Sequence, residues 1–294
     1  MIAIDWGTSA FRAYRIDAAG SVLERCEAAR GILTVENGAF ATVLTEEIGD
    51  WLRDDPGPIM MSGMIGSRQG WREMPYLECP VDTDTIARAC GEIDCGFDRR
   101  AFVVPGLTCR DRDGVRDVMR GEETQIIGAL DELGASALLC LPGTHSKYVT
   151  MRDRRIERFE THMTGEIFAL LWCHSILGRV DAADRITDKR AFDAGVDRAG
   201  DSRGLLHHLF GVRARHLFDE IAAGSVASYL SGILIGHEIR SARISGPIVL
   251  IGAPELSRLY RRALTRLGAV TRVLAGEPAA RGLWRLACAM KAMP

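Results

Sequence analysis

The stretch MIAIDWGTSAFRAYRI, residues 1–16, decides the fold class. Its first six residues are mostly apolar, which predicts a buried strand, and Gly7-Thr8-Ser9 predicts a turn after it. Residues 11–16 alternate between apolar and polar side chains, the period of two expected of a half-buried strand. A turn at residues 17–20 leads into residues 21–28, which predict a third strand. The segment is therefore predicted to form a three-stranded meander.

The same organisation recurs in the middle of the chain. Residues 136–141 form a second apolar run, and Gly143-Thr144-His145 takes the place of Gly7-Thr8-Ser9. Two further strand candidates follow, residues 147–151 and residues 155–161, and a polar turn joins them. The sequence therefore predicts a duplicated strand-meander core.

Helical patterns alternate with further strands over the rest of the chain, which is typical of an α/β protein. The repeat predicts an N-terminal lobe over residues 1–135 and a C-terminal lobe over residues 136–294. A helix predicted over residues 40–52 has one apolar face, formed by Phe40, Val43, Leu44, Ile48 and Leu52. The other predicted helices are residues 122–133, 164–176, 205–217, 219–241, 254–267 and 278–293, and the other predicted strands are residues 58–61, 102–104, 246–252 and 270–274.

Composition excludes several classes of protein. The chain has 294 residues, of which 47% are hydrophobic and 26% charged, a balance that excludes intrinsic disorder. Its 37 Lys and Arg against 39 Asp and Glu give a net charge of −2, without the basic excess that draws proteins to nucleic acid. Residues 221–236 are uncharged, but the run is shorter than the roughly 18 residues of a membrane span, so it predicts a buried helix. The N-terminal residues lack the basic region of a signal peptide.

Familiar cysteine, histidine and glycine motifs are missing. The eight cysteines include no CxxC pair, which favours reduced thiols in a cytoplasmic protein. The seven histidines show no HExxH spacing, and neither GxxxxGK[ST] nor GxGxxG occurs, so a zinc site, a P-loop and a dinucleotide fold are not expected. Gly200-Asp201-Ser202-Arg203-Gly204 fits the GxSxG elbow of hydrolases, but the preceding polar residues do not predict the strand that this elbow requires.

Three glycine turns follow predicted strands and share one chemistry. They are Gly7-Thr8-Ser9, Gly143-Thr144-His145 and Gly252-Ala253. Glycine lets backbone N–H groups face an anion, and a hydroxyl adds a donor, so such turns suit phosphates. Asp5 directly precedes the first turn, where a carboxylate suits a phosphate-bound Mg²⁺.

Longer segments resemble one enzyme family, the 2-dehydro-3-deoxygalactonokinases. The segments are DWGTS (5–9), MSGMIGS (61–67), DVMRGEETQ (117–125), LPGTHSK (141–147), MTGEIF (163–168) and ASYLSG (227–232). The resemblance implies the two-lobed actin-like ATPase, or ribonuclease H-like, sugar-kinase fold, in which the lobes close over ATP. It also implies transfer of the γ-phosphate of ATP to the 6-hydroxyl of 2-dehydro-3-deoxygalactonate.

The resemblance assigns roles to residues by position. In xylulokinase-like relatives an Asp after a Gly at a helix start is the general base, and Gly121-Glu122 matches that pair. Glu stands here in place of Asp and Glu123 is adjacent, so the base is Glu122 or, less favoured, Glu123. ATP and Mg²⁺ are the implied cofactors, with Asp5 near the metal. The predicted cofactor-binding residues are Gly7, Thr8, Ser9, Arg12, Gly143, Thr144, His145, Ser146, Lys147, Gly252, Ala253 and Glu255.

The predicted substrate segment is Ser62-Gly63-Met64, which matches the sugar-binding segment of larger sugar kinases. A sugar acid requires a cation for its carboxylate, and Arg68 is the candidate, with Trp71 as an apolar wall. Thr164 opens a predicted helix and is a further candidate contact. The implied partner is a small sugar acid, with neither nucleic acid nor a membrane, and a homo-oligomer remains open.

Two alternatives remain at this point. One is a kinase for another sugar or sugar acid, because the ATP segments would look the same; a gluconate-derived epimer differs at one carbon only. The other is a non-catalytic regulatory relative that binds ATP, although the acids Asp5 and Glu122 argue against it.

Overall fold

The computed structural model describes residues 1–180 and 187–293, which form an α/β fold. The strands are β1 (Ile2–Trp6), β2 (Phe11–Ile16), β3 (Val22–Ala28), β4 (Ile59–Ser62), β5 (Leu77–Glu78), β6 (Gly91–Ile93), β7 (Ala101–Val103), β8 (Leu107–Arg110), β9 (Arg116–Met119), β10 (Ala137–Leu141), β11 (Ser146–Arg152), β12 (Arg155–His162), β13 (Ile248–Ile251) and β14 (Thr271–Leu274). The helices are α1 (Phe40–Asp54), α2 (Thr83–Arg88), α3 (Glu122–Ala129), α4 (Thr164–His174), α5 (Lys189–Arg198), α6 (Leu205–Leu217), α7 (Val226–Ser241), α8 (Pro254–Arg266) and α9 (Pro278–Ala289).

The first sheet has the strand order β3-β2-β1-β4-β7-β6. Strand β1 pairs antiparallel with β2 and parallel with β4, and β4 pairs parallel with β7. One face packs on α1, whose buried side chains are Phe40, Val43, Leu44, Ile48 and Leu52, the apolar face that the sequence predicts. The sheet therefore places the carboxyl ends of β1 and β4 side by side, so the loops that follow these two strands begin at the same edge of the sheet.

The second sheet repeats this arrangement with the order β12-β11-β10-β13-β14. In both sheets a meander of three strands is followed by two parallel strands beside its first member, and the first sheet adds β6, antiparallel to β7, at its edge. Strand β10 pairs parallel with β13, and β13 pairs parallel with β14, as their counterparts β1, β4 and β7 do. The duplicated core predicted from the sequence is confirmed by this matching topology.

A small third sheet, β5-β8-β9, was not predicted. Its strands have two to four residues, and β9 is exposed or half-buried except at Met119. Helix α5 was also missed, because polar side chains surround its three buried residues, Phe192, Gly195 and Val196. The predicted helix over residues 219–241 begins later, at Val226, and is preceded by a short 3₁₀ turn.

The chain divides into two compact units. Unit 1 contains Met1–Ala137, Thr150–Phe159 and Ala275–Pro294, and unit 2 contains Leu138–Val149 and Glu160–Leu274. The sequence predicts a single boundary after residue 135, which would place α9 in the C-terminal lobe. The observed division differs mainly in this helix, because α9 packs against α3 and belongs to unit 1. Fully buried Ala280 and Leu283 form its inner face, and Arg285 donates a hydrogen bond to the carbonyl oxygen of Ile127 at 3.3 Å.

Several expectations from composition can be compared with the described residues. All eight cysteines are free, and three of them are buried. Within residues 1–180 and 187–293, no helix is long and apolar enough to cross a membrane, and no cluster of three or more His, Cys, Asp or Glu side chains could hold a metal ion. The GxSxG segment follows α5, not a strand, so it lacks the geometry of a hydrolase elbow.

Candidate active site

Asp5 lies near the end of β1, where the sheet of unit 1 places it beside Ser62 of β4. Its carboxylate accepts a hydrogen bond from Arg12 at 3.3 Å, and the same guanidinium donates to Glu27 at 3.1 Å. Burial raises the pKa of the Asp5 carboxyl, and the positive charge of Arg12 partly opposes that shift. The arrangement leaves a largely enclosed acid at the carboxyl edge of the sheet.

Two glycines bring three separate segments of unit 1 together at this acid. Gly63 has a φ of 89°, and a Cβ there would lie 2.7 Å from the carbonyl oxygen of Trp6 and 3.3 Å from Oδ1 of Asp5. Gly121 has a φ of 111°, and a Cβ there would lie 3.3 Å from the Cα of Gly63. Only glycine accommodates both the backbone angle and the close approach. The ends of β1 and β4 and the start of α3 therefore meet at one place.

The two adjacent glutamates of α3 have different surroundings. Glu123 is fully buried, and both of its carboxylate oxygens accept from the N–H of Gly121, at 2.9 and 2.8 Å. Burial and the neighbouring charge of Glu122 raise the pKa of Glu123 to about 8. Glu122 is half-buried, and its Oε2 accepts from the N–H of Arg120 at 3.0 Å. Glu123 thus braces its own turn, whereas Glu122 lies at the helix start with part of its surface accessible.

The predicted substrate segment lies directly after β4. Ser62 and Gly63 are buried, and Met64 begins a short 3₁₀ turn. Trp71 stacks on Phe40, with ring centroids 5.8 Å apart. Arg68 is 86% exposed and forms an ion pair with Glu73 at 3.0 Å, so its charge lies at the surface.

Arg120 is a cation that the sequence did not single out. It donates a hydrogen bond to the carbonyl oxygen of Met74 at 2.8 Å, and its guanidinium lies 4.4 Å from the centroid of the Tyr76 ring. Its Nε and NH1 atoms are enclosed and have no hydrogen-bond partner among the residues that the structure describes. Arg120 therefore ties the residues just before α3 to the loop around Met74 and Tyr76.

In unit 2 the turn after β10 is anchored to the start of α4. The N–H of Glu166 donates to the carbonyl oxygen of Thr144 at 3.0 Å, and the Glu166 carboxylate contacts the ring of His145. A Cβ on Gly165 would lie 2.5 Å from the carbonyl oxygen of Gly143, so only glycine allows this approach. Ser146 and Lys147, which follow, are both buried.

A cavity of about 260 Å³ opens beside this turn within unit 2. Its wall is mainly apolar and comes from α4, α5, α7 and α8, with Gly143 and Thr164 at the turn. The lining residues are Gly143, Thr164, Gly165, Phe168, Thr187, Phe192, Ala227, Ser228, Ser231, Leu234, Ile235, Leu256, Leu259 and Tyr260. An apolar cavity with a few polar groups suits a flat heterocyclic ligand.

The remaining predicted residues lie at the other glycine turns. Gly252 lies beside Pro142, and Ala253 and Glu255 are exposed at the start of α8. The turn after β1 is braced by the N–H of Ile32, which donates to the carbonyl oxygen of Gly7 at 3.0 Å. Thr8 and Ser9 are exposed there. Each unit thus presents its own glycine turn at the end of the first strand of its meander.

Comparison with known proteins assigns the family. The model of the 2-keto-3-deoxy-galactonokinase family matches residues 5–286. The chain belongs to this family. The protein named "Probable 2-dehydro-3-deoxygalactonokinase DgoK1" from Rhizobium meliloti (strain 1021) is 41% identical over 95% of this chain and 93% of its own length. The 2-dehydro-3-deoxygalactonokinase of Escherichia coli (strain K12) is 36% identical over 95% of this chain and 94% of its own length.

Solved structures match this member of the 2-keto-3-deoxy-galactonokinase family over nearly its whole length. A crystal structure of a "putative 2-dehydro-3-deoxygalactonokinase protein" from Sinorhizobium meliloti matches with a TM-score of 0.88 and 39% identity, covering 99% of this chain and 98% of that one. The activator of the 2-hydroxyisocaproyl-CoA dehydratase from Clostridium difficile, solved with bound ADPNP, matches with a TM-score of 0.54 and 11% identity, covering 99% and 95%. The sugar-kinase fold expected from the sequence is confirmed.

This member of the 2-keto-3-deoxy-galactonokinase family contains one buried acid that sequence reasoning missed. Glu238 of α7 is 4% exposed and accepts hydrogen bonds from the hydroxyls of Tyr148 and Tyr260, at 2.9 and 2.7 Å. The available signal was a single acid within a mainly apolar segment, residues 226–239. Its two tyrosine partners lie 90 and 22 residues away, and no pattern in the sequence connects them.

Proposed function

We propose that this protein uses ATP to phosphorylate 2-dehydro-3-deoxy-D-galactonate at the 6-hydroxyl, giving the 6-phosphate and ADP. The observation that carries the proposal is the meeting of Asp5, Gly63 and Gly121-Glu122 at one place in unit 1. This geometry brings an acid, a candidate sugar segment and a candidate base together in a member of a sugar-acid kinase family.

Glu122 is the proposed general base. The substrate hydroxyl gives its proton to the Glu122 carboxylate while its oxygen forms a bond to the γ-phosphorus, and the bond from that phosphorus to the β–γ bridging oxygen breaks. A carboxylate at a helix start is kept ionised by the positive end of the helix dipole. Glu123 is less suited to this role, because both of its oxygens are already occupied by the N–H of Gly121.

Asp5 is the proposed contact for a phosphate-bound Mg²⁺, directly or through water. Mg²⁺ favours oxygen ligands and is usually held by one or two carboxylates together with phosphates, so a single acid fits it better than a complete protein cage would. When bound, the ion would neutralise charge on the phosphates, while Arg12 holds the Asp5 carboxylate in place.

Unit 2 is the proposed holder of the nucleotide. The turn of Gly143, Thr144, His145, Ser146 and Lys147 would face the phosphates, and the neighbouring apolar cavity is large enough for an adenine ring. Gly252, Ala253 and Glu255 would flank the adenosine. In unit 1, Gly7, Thr8, Ser9 and Arg12 would form the second phosphate turn.

Ser62, Gly63, Met64 and Trp71 are the proposed sugar contacts, with Thr164 as a further one. Arg68 is the proposed partner of the substrate carboxylate, for which it would exchange its surface ion pair with Glu73.

Arg68→Ala is expected to raise KM for the sugar acid about fivefold and to leave KM for ATP unchanged, because one exposed charge pair contributes little more. The matched control is Arg100→Ala, which removes an exposed ion pair with Glu92 elsewhere in unit 1. Equal effects on both substrates would contradict this role.

The proposed setting is the cytoplasm, as free thiols favour a reducing compartment. The proposed partner is the small sugar acid, and association into a homo-oligomer is a further possibility. Self-association would be measured by light scattering.

The proposed function is tested by incubating the purified protein with ATP, Mg²⁺ and a panel of sugar acids and neutral sugars. ADP release is followed, and the product is located by ³¹P NMR. The expected result is rapid transfer to C6 of 2-dehydro-3-deoxy-D-galactonate and slower transfer to its gluconate-derived epimer. Preference for another sugar would support the first alternative, and binding of ATP without transfer to any sugar would support a regulatory role.

A further inference from the structure

Glu238 is a buried carboxylate that the proposed chemistry does not use. It lies in the second half of α7, and the hydroxyls of Tyr148 and Tyr260 donate to its two oxygens. The side chain of Thr164 forms a third hydrogen bond with it. Burial raises the pKa of Glu238, and these three hydrogen bonds oppose the shift. A carboxyl group is costly to bury unless it is well hydrogen-bonded. The hydrogen bonds of Glu238 therefore link α7 to three other elements, β11, α8 and α4.

The direction of the hydrogen bonds follows from the chemistry of the carboxylate. When Glu238 is ionised its carboxylate only accepts, so Tyr260 then directs its single hydroxyl proton to Glu238. The oxygen of Tyr260 also lies 2.7 Å from the Oγ of Ser146, and it can therefore only accept there. The Ser146 hydroxyl must donate inward to Tyr260. This side chain is fully buried, so Ser146 is held by the network and not by solvent.

The hydrogen-bond network of Glu238 reaches the candidate nucleotide site of unit 2 at two side chains, Ser146 and Thr164. Ser146 belongs to the turn of residues 143–147, and Thr164 opens α4, whose Gly165 lies against Gly143 of the same turn. One carboxylate thus fixes the turn from two sides, once through Tyr260 and Ser146 and once through Thr164. Tyr148, in contrast, contacts the carboxylate without a described hydrogen bond onward to the turn.

We propose that Glu238 is a positioning residue, which holds the turn of residues 143–147 and the start of α4 in the geometry that binds the phosphates of the nucleotide. This inference rests on the proposed function, because it takes the turn to be a phosphate site. Glu238 would contact no substrate itself. Its effect would pass through hydroxyl groups whose direction it sets.

The two tyrosines provide a matched pair of variants. Tyr260→Phe and Tyr148→Phe each remove one buried hydroxyl donor from Glu238, but only Tyr260 leads on to Ser146. Tyr260→Phe is expected to raise KM and Kd for ATP about tenfold, the effect of a hydrogen bond to a charged group. Tyr148→Phe is expected to change them less than about twofold, although both variants lose similar thermal stability. Equal increases in the two variants would overturn the proposal.

A double-mutant cycle separates the network from a direct contact of Tyr260 with the nucleotide, since Tyr260 also lines the cavity. Ser146→Ala removes the donor to Tyr260. If both side chains act through their mutual hydrogen bond, Tyr260→Phe with Ser146→Ala should raise KM for ATP no further than either change alone. If the fold-increases in KM for ATP of the two single variants instead multiply in the double variant, the two side chains act independently, which would contradict the proposal.

Glu238→Gln keeps the shape of the side chain and replaces one acceptor by a donor. One of the three hydroxyls must then turn, so KM for ATP is expected to rise about five- to tenfold while kcat at saturating substrates changes less than about twofold. Circular dichroism at the assay temperature checks that each variant is folded. An unchanged KM for ATP in folded Glu238→Gln would overturn the proposal.

Failure of the proposed kinase function can be distinguished from failure of the proposed role of Glu238. Wild-type protein would then transfer no phosphate to any sugar acid, whereas the nucleotide affinities, measured by calorimetry with a non-hydrolysable ATP analogue, would still compare Tyr260→Phe with Tyr148→Phe. Wild-type protein that does not bind the analogue at all would contradict both.

Discussion

The turns after β1 and β10 occupy the same place in two sheets of the same strand order, yet their chemistry differs. In unit 1 the strand carries Asp5, and two glycines bring Glu122 towards it. The residue that matches Asp5 in unit 2 is Leu141, which is buried and apolar. The second turn is surrounded instead by hydroxyl groups that a distant acid, Glu238, orients. The two turns thus share a scaffold, while a few side chains make one of them acidic and connect the other to hydroxyl groups.

The largest expected effect tests whether the acidic turn performs the chemistry. Glu122→Gln keeps the side chain's size and removes its ability to accept a proton, so kcat is expected to fall at least about 100-fold while the affinity for ATP is unchanged. Steady-state ADP release and calorimetry with an ATP analogue measure the two quantities. Glu123→Gln is the neighbouring control, with a decrease below about tenfold. Near-normal turnover of Glu122→Gln would show that the base lies elsewhere.

Asp5 provides the next test of the same turn. Asp5→Asn is expected to lower kcat about 10- to 100-fold and to raise the Mg²⁺ concentration needed for half-maximal activity, because a charged oxygen ligand is lost. Glu27→Gln is the matched control, since it removes the other acidic partner of Arg12 at an exposed position. A Mg²⁺ titration of each variant checks the result. Identical titration curves for wild type and Asp5→Asn would remove Asp5 from the metal site.

A smaller effect is expected at the proposed nucleotide turn, residues 143–147. Gly165→Ala would place a Cβ 2.5 Å from the carbonyl oxygen of Gly143, so the turn must shift and KM for ATP should rise about tenfold. Gly211→Ala in α6 is the control, because a Cβ there meets nothing within 4 Å. It is expected to leave the kinetics unchanged and to stabilise the protein by about 0.4–1 kcal/mol. Unaltered kinetics in Gly165→Ala would mean that this turn does not bind the nucleotide.

The smallest effect on rate concerns Glu123, whose pKa burial raises from 4.5 to about 8. Between these pH values the folded protein retains a proton that the unfolded chain has released, so the contribution of Glu123 to stability decreases as pH rises. Glu123→Gln cannot titrate, and its stability relative to wild type should therefore increase by a few kcal/mol from pH 4.5 to pH 8. Urea unfolding at both pH values measures this difference. A constant difference would contradict the buried, protonated state.

Local patterns allowed much of the fold to be predicted. The apolar face of α1 depends on neighbours within one element and agrees with the structure. The alternation predicted for β2 holds over residues 11–13 but not beyond, because Tyr14 is also buried and the strand register shifts between Arg15 and Ile16. Strands β8 and β9 were missed because four residues with mixed polarity carry no clear period. Helix α5 was missed although Phe192 and Val196 are four residues apart, since two buried apolar side chains are too few to mark an amphipathic helix.

The geometry of the site was less accessible from the sequence. The residues Asp5, Gly63 and Gly121 are far apart in the chain, and only the pairing of β1 with β4 and the packing of α3 bring them together. The resemblance to a kinase family named these segments but could not separate Glu122 from Glu123. Their difference in burial is a property of the folded turn. For the same reason Arg68 was named from the sequence and Arg120, whose guanidinium the fold encloses, was not considered.

The position of α9 affects the order in which the protein assembles on the ribosome. This helix packs against α3, which begins with the proposed base, although about 150 residues separate the two helices. The last residue of unit 2 before α9 is Leu274, so all of unit 2 is synthesised before α9. Unit 2 can therefore complete its core during synthesis while unit 1 still lacks the helix that covers α3. Nascent chains arrested before residue 278 should therefore expose the buried surface of α3 to chaperones, and the half of the molecule that is translated first would be the last to mature.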